Sequence, residues 1–231
     1  MAYSCVSLIA EVKAVVGRTD DTVHITDART MNWLNDAQDA IVEACPELDF
    51  LRFSNRTSLD TTVVLKYAIS DITVGDETIY TKICYLNEIY YLDGVESVKL
   101  NFVMTDEFDK EWPDPTHADV PRGKPEWWTK RAGNIEIYPV CLTAYADNDL
   151  RFEGTRYAKE FTAADTTRVS DLSKADEGLL RWAVSRAWGY IGTADKEVLW
   201  DAKFNNWLAD YKAQSERMHE WDGNLFSDNI T

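Results

Sequence analysis

The chain has 231 residues, 45% of them hydrophobic and 12% aromatic, and a formal net charge of -16 at pH 7. That length and apolar content can bury a sizeable core, and no apolar run approaches the roughly 18–20 residues that span a bilayer. So acidic a surface repels nucleic-acid phosphates and argues against sequence-specific DNA binding.

The first ten residues lack a basic leader region, and Glu11 and Lys13 follow at once, so they do not read as a signal peptide. Cys5, Cys45, Cys84 and Cys141 are scattered and form no CxxC pair. They fit buried thiols better than a zinc site or a disulfide framework.

Residues 4–16 are expected to form a short helix, with Val6, Ile9, Val12 and Val16 near one face and Gly17 as the stop. Thr26 or Asp27 can cap a second helix carrying Met31, Leu34, Ile41, Val42 and Cys45, which Pro46 ends. From Asp49 the period changes. Residues 50–53, 61–67, 78–84 and 92–100 are rich in β-branched and aromatic side chains and read as strands or turns into strands. Residues 105–119 form an acidic segment expected to be a loop, with Asp106, Glu107, Asp109, Glu111, Trp112 and Asp114. A meander is expected over 121–157, built from Trp127-Trp128, the half-buried run Ile135-Glu136-Ile137-Tyr138 closed by Pro139, and the alternating run Leu150-Arg151-Phe152-Glu153.

Ser173 and Asp176 resemble a capping box opening a helix through Leu179, Trp182, Ala183 and Trp188, ended by Gly189 or Gly192. A last long helix begins near Thr193 and carries Leu199, Trp200, Phe204, Trp207 and Tyr211 at helical spacing. Trp182, Trp188, Trp200, Phe204 and Trp207 lie on periodic helix faces and read as core. The segment 220–231 shows no helical period and is expected to be extended. Its Trp221, Leu225 and Phe226 are aromatic and aliphatic anchors of the kind that favour an interface.

The resulting expectation is an α+β protein: a helical bundle formed by N- and C-terminal helices, with a β-rich insert between them. Its parts are helices over 1–48, the insert over 49–170, a helix pair over 171–219 and an extended docking tail over 220–231. No catalytic group, cofactor motif or metal-ligand spacing stands out. His24, His117 and His219 lie in no HExxH or nucleophile motif, and the acidic segment lacks calcium-loop spacing. Glu107 and Asp109 form a glycosidase pair only if burial drives their pKa values apart.

The order of short motifs resembles that of the head–tail adaptor (connector) proteins of tailed bacteriophages. The stretch Met31-Asn32-Trp33-Leu34-Asn35-Asp36-Ala37 is similar to a helical motif of that family. Leu92-Asp93-Gly94-Val95-Glu96-Ser97-Val98 resembles the strand before its Gly-x-Pro turn, here Gly123-Lys124-Pro125. Ile135-Glu136-Ile137-Tyr138-Pro139 and Leu150-Arg151-Phe152-Glu153-Gly154-Thr155-Arg156-Tyr157 resemble its later strands, and Leu172 with Ala175-Asp176-Glu177-Gly178-Leu179-Leu180 resembles the approach to its last helix pair. Ser173 stands where the family usually has proline, and residues 140–147 are longer than its tight turn.

This resemblance implies a ring, commonly of twelve copies, under the portal protein, extending the DNA channel and meeting a further neck or tail protein. It implies portal docking through Arg217, Trp221, Leu225 and Phe226. Trp127, Trp128 and Trp112 would contact a neighbouring subunit or the tail side, although Trp127 and Trp128 also fit an insert core. DNA would pass an acidic wall without sequence-specific binding. The location would be the virion neck, after a period in the host cytoplasm, with no membrane. Another neck or tail component, such as a tail-completion or tail-tube protein, is the alternative, and a cell-wall hydrolase using Glu107 and Asp109 a remote one.

Overall fold

The computed structural model describes residues 3–45, 48, 51–58, 66–69, 83–112, 122–141 and 149–227. The fold is α+β, with N- and C-terminal helices flanking a β-rich middle. The chain divides into two compact units, Met1–Leu51 with Tyr157–Thr231, and Arg52–Arg156.

The helical unit contains α1 (Cys5–Val16), α2 (Asp27–Ala44), α4 (Asp176–Ile191) and α5 (Ala194–Ser227). In α1 the residues Cys5, Leu8, Ile9, Val12 and Val16 recur at helical spacing and are buried. The hydroxyl of Ser4 accepts the Ser7 N–H at the start, and Gly17 closes the helix at φ 72°, a left-handed backbone that costs glycine no Cβ clash. Thr26, not Asp27, caps α2 by accepting the Arg29 N–H at 3.2 Å. Helix α4 packs against α1, α2 and α5. It ends at Gly192, also left-handed, and not at Gly189. Its start differs from the capping-box expectation: the cap position is Ala175, in an α-helical backbone and without a side-chain bond. Ser173 lies too far upstream to cap a helix that opens at Asp176.

A strap of chain, residues 157–175, belongs to the helical unit, whereas its part up to residue 170 was expected inside the insert. Asn35 holds it as a second strand would. Its amide donates to the Phe161 carbonyl at 3.1 Å, and its carbonyl accepts the Phe161 N–H at 2.8 Å. Gln38 donates to the Lys159 carbonyl at 3.3 Å and accepts the Ser170 hydroxyl at 2.6 Å. Backbone bonds from Cys5 and Val6 to the carbonyls of Arg168 and Thr166 tie the strap to α1. Phe161 and Leu172 fill the space beneath it.

The hairpin of α4 and α5 is aromatic at its seam. Phe204 is buried, with Trp182 edge-on to it at 4.8 Å and Trp207 at 6.2 Å. Of the five aromatic residues expected in the core, Trp182, Trp188, Trp200 and Trp207 are only half-buried, and the ammonium groups of Lys196 and Lys203 lie over the rings of Trp188 and Trp200 at 3.8 and 4.0 Å. The Ser185 hydroxyl donates to the Asp201 carboxylate at 2.6 Å.

The β-rich unit holds β1 (Arg52–Ser58), β2 (Lys66–Ala68), β3 (Ile83–Leu92), β4 (Ser97–Lys99), β5 (Asn101–Phe102), α3 (Thr105–Glu111), β6 (Arg122–Gly123), β7 (Trp127–Arg131), β8 (Asn134–Tyr138), β9 (Val140–Cys141) and β10 (Asp149–Arg156). One antiparallel sheet has the order β1-β10-β3-β4; a second has β2-β8-β7-β5, with β5 and β7 parallel; β6 and β9 pair in parallel. The expected meander over 121–157 is therefore divided. β7 and β8 form a hairpin in the second sheet, while β10 lies inside the first, between β1 and β3. A nine-residue core that includes Phe53, Ile89, Trp128, Ile135, Ile137, Leu150 and Phe152 fills the unit. Gly154 sits where β10 shifts register against β3, and a Cβ there would lie 2.1 Å from the Tyr85 carbonyl oxygen. Of the expected strands, residues 61–65 and 78–82 lie outside the described residues.

Two further expectations change. The acidic segment is not a loop at its start, because residues 105–111 form α3 with Phe108 as the buried anchor; residues 113–119 lie outside the described residues. Strand β8 is not half-buried, since Ile135, Glu136, Ile137 and Tyr138 are all buried. Helix α3 covers the face that a solvated sheet would have shown.

Candidate functional site

The aromatic side chains of the β-rich unit separate into two faces. Trp127 and Trp128 are neighbours on β7, so their side chains leave opposite faces of the sheet. Trp128 is buried among the core residues and meets Phe102 edge-on at 4.8 Å. Trp127 is half-buried on the other face, 5.2 Å from the ring of Trp112, which follows α3. Trp112 stacks on Tyr138 at 4.3 Å, and Phe108 stands edge-on to Tyr138 at 6.3 Å. Burial pushes the Tyr138 hydroxyl above its ordinary pKa. Of the three tryptophans proposed as contacts, Trp112 and Trp127 come together at the surface, and Trp128 belongs to the core.

Helix α3 is fastened by charge as well. Arg131 on β7 donates to the Asp109 carboxylate and lies 3.4 Å from the carboxylate of buried Glu136 on β8. This guanidinium hydrogen-bonds Asp109 and stands within ion-pair distance of Glu136. The pair Glu107 and Asp109 is not a facing couple of carboxylates: Asp109 is committed to Arg131, while Glu107 is exposed on the rim of a groove lined by Val103, Lys110, Glu111, Trp112 and Trp127. Sequence reasoning missed two exposed apolar residues: Phe102 in β5 and Met104 just after it are 53% and 64% exposed, on an edge strand too short for its alternation to signal a surface.

In the helical unit, Arg217, Trp221, Leu225 and Phe226 fall within the last turns of α5, which runs as a helix to Ser227. The extended backbone expected from residue 220 is thus replaced by helix for eight residues. A three-four spacing explains it: Phe204, Trp207, Tyr211, Gln214, Met218, Trp221 and Leu225 fall on one stripe. Where the side chains are described, that stripe is buried at Phe204, half-buried at Trp207 and Tyr211 and exposed at Gln214. The Tyr211 hydroxyl donates to the Ser173 carbonyl at 3.0 Å. The four proposed docking side chains themselves, and residues 228–231, lie outside the described residues.

His24 is exposed beside Asp21, with Nδ1 at 3.5 Å from the carboxylate. The backbone N–H groups of His24 and Val23 hold that carboxylate below the usual range. His117 and the side chain of His219 lie outside the described residues. No cluster of three or more metal-ligating groups occurs among the described residues. Cys5 and Cys45 are buried free thiols, both pushed up in pKa chiefly by burial. No helix among the described residues is long and apolar enough to cross a membrane.

N- and C-terminal helices flank a β-rich middle in the sequence, and half-buried tryptophans occur in both units. The sequence model of the SU10 adaptor protein family matches residues 3–225, and the chain belongs to that family. It is accordingly a structural adaptor of a bacteriophage particle, one that joins other head or tail proteins. A search of the curated proteins finds no match.

Proposed function

We propose that the protein forms a homo-oligomeric ring, of about twelve copies in line with its resemblance to head–tail adaptors, under the portal protein. There it extends the DNA channel and joins the head to a further neck or tail protein. A head-to-tail contact that closes by rotation gives such a ring without exposed ends. The carrying observation is α5. It continues as a helix to Ser227 on a stripe that is uncovered at Gln214 and carries Met218, Trp221 and Leu225 further on. A stripe of that sequence pattern is what an amphipathic helix uses to enter a groove on another protein. In this reading Arg217, Trp221, Leu225 and Phe226 dock on the portal, and the net charge of -16 keeps passing DNA from adhering.

Truncation after Arg217 tests the docking. The shortened chain is expected to keep the thermal midpoint of the full chain and to lose only the helical circular-dichroism signal of residues 218–227, because Tyr211 and the seam above it are retained. It is expected to lose attachment to portal-bearing heads in co-sedimentation. Normal attachment of the truncated chain would refute the role given to these residues.

A further inference from the structure

The two outer faces of the β-rich unit carry unpaired charge of opposite sign. Its two four-stranded sheets share one core, filled by Phe53, Ile89, Leu150 and Phe152 from one sheet and Trp128 and Ile137 from the other. The alternate residues of each sheet therefore point away from that core. On the outer face of β1-β10-β3-β4, the register sets Arg56, Arg151, Tyr90 and Lys99 in one row across the four strands. The Arg151 guanidinium lies 4.4 Å from the centre of the Tyr90 ring, with its Nε 2.9 Å from the Glu153 carboxylate. Lys99 and the Tyr90 hydroxyl both donate to Glu88. Those two acids are engaged within the face. Arg56 is exposed, has no ion-pair partner among the described residues and stands directly opposite Arg151. Like charges directly opposed on a sheet repel, so an incoming carboxylate would relieve the pair. With Arg52 and Asp149 included, cations outnumber acids on this face, in a chain whose net charge is -16.

Helix α3 covers the other outer face. It packs on Trp127, Arg131 and Tyr138, which leave β7 and β8 on the side away from the core. Asp109 is taken up by Arg131, but Asp106, Glu107 and Glu111 are exposed and without ion-pair partners among the described residues, against Lys110 alone. Glu107 and Glu111 are one helical turn apart, with Cβ atoms about 5–6 Å from each other. Arg56 and Arg151, opposed across two strands, have Cβ atoms about 4.5–5.5 Å apart. The two pairs match in spacing as well as in sign.

We propose that the sheet face carrying Arg56 and Arg151 is the contact for helix α3 of a second copy of this chain, whose Glu107 and Glu111 accept from the two guanidiniums. The contact is heterologous, because its two halves lie on opposite sides of one unit, and its repetition closes a ring when the rotation allows. The inference rests on the ring reading above and names its subunit contact. Passing DNA is the poorer occupant, since Glu88 and Glu153 in the adjoining row would repel its phosphates.

Particles carrying Arg56→Cys together with Glu107→Cys test it, by mild oxidation and electrophoresis without reductant. The expected result is a ladder of adaptor multimers that neither single variant gives. Arg56→Glu is expected to lower the adaptor content of particles by about tenfold, and adding Glu107→Arg with Glu111→Arg to restore most of it. Circular dichroism of these variants is expected to match the unsubstituted chain, since all three positions are exposed. Monomer bands alone, or a cross-link to a different protein, from particles whose adaptor forms a ring by electron microscopy would overturn this contact and leave the ring reading standing. Failure of the charge swap to restore the adaptor would overturn it equally. Particles whose adaptor forms no ring would overturn that reading and this inference with it.

Discussion

Asn35 shows how much one side chain can organise. It sits on α2 and pairs with both backbone groups of Phe161, 126 positions away. Asn35→Ala would leave that N–H and carbonyl without these partners beneath the strap, and is expected to lower stability by about 2 kcal/mol, read as a lower urea midpoint at unchanged slope. Gly178 is a second such point. A Cβ there would lie 2.1 Å from the Trp207 ring, so Gly178→Ala is expected to cost about 1–3 kcal/mol through overpacking. Adding Trp207→Leu should recover part of that loss in thermal unfolding, whereas purely additive losses would place the strain elsewhere. Asn35 was visible in the sequence as part of a family-like motif. Its partner was not, because nothing local to Phe161 signals a bond across so long a separation.

Among the elements, the helices were the readable ones. Their 3.6-residue spacing and the caps at Thr26 and Gly17 are local signals, and the structure follows them. Helix α3 was hidden because one buried residue, Phe108, gives no period among charges. The place of β10 between β1 and β3, and the parallel β5–β7 pair, depend on partners distant in the chain. The end of α5 was misread as extended, since Gly223 and Asn224 mask a spacing that Met218, Trp221 and Leu225 nonetheless keep. The seating of α5 also has a pH signature. Burial pushes the Tyr211 hydroxyl up to about 12 from an ordinary 10.0, with the nearby Cys45 adding to the effect. The folded state therefore holds this proton more tightly than the unfolded chain. The contribution is complete below the unfolded value and is lost as pH rises through the folded one. Urea midpoints are expected to fall between about pH 10 and about pH 12, with Cys45, also raised by burial, acting in the same direction. Tyr211→Phe should flatten part of that fall and lose the bond to the Ser173 carbonyl; an unchanged slope would mean that Tyr211 is not buried in solution.

For the whole molecule, composition and motif order led to an α+β adaptor, and the family match over residues 3–225 agrees. The two tryptophans of β7 could not be told apart from sequence. Adjacent positions on a strand face opposite ways, and only the pairing decides which face is core; Trp128 took the core and Trp127 the groove. A reconstruction of the particle neck is the most direct test. The account predicts a closed ring of this chain under the portal, with the last turns of α5 seated in apolar grooves of the portal subunits. A ring in the tail tube, or a neck ring whose α5 ends point away from the portal, would contradict it.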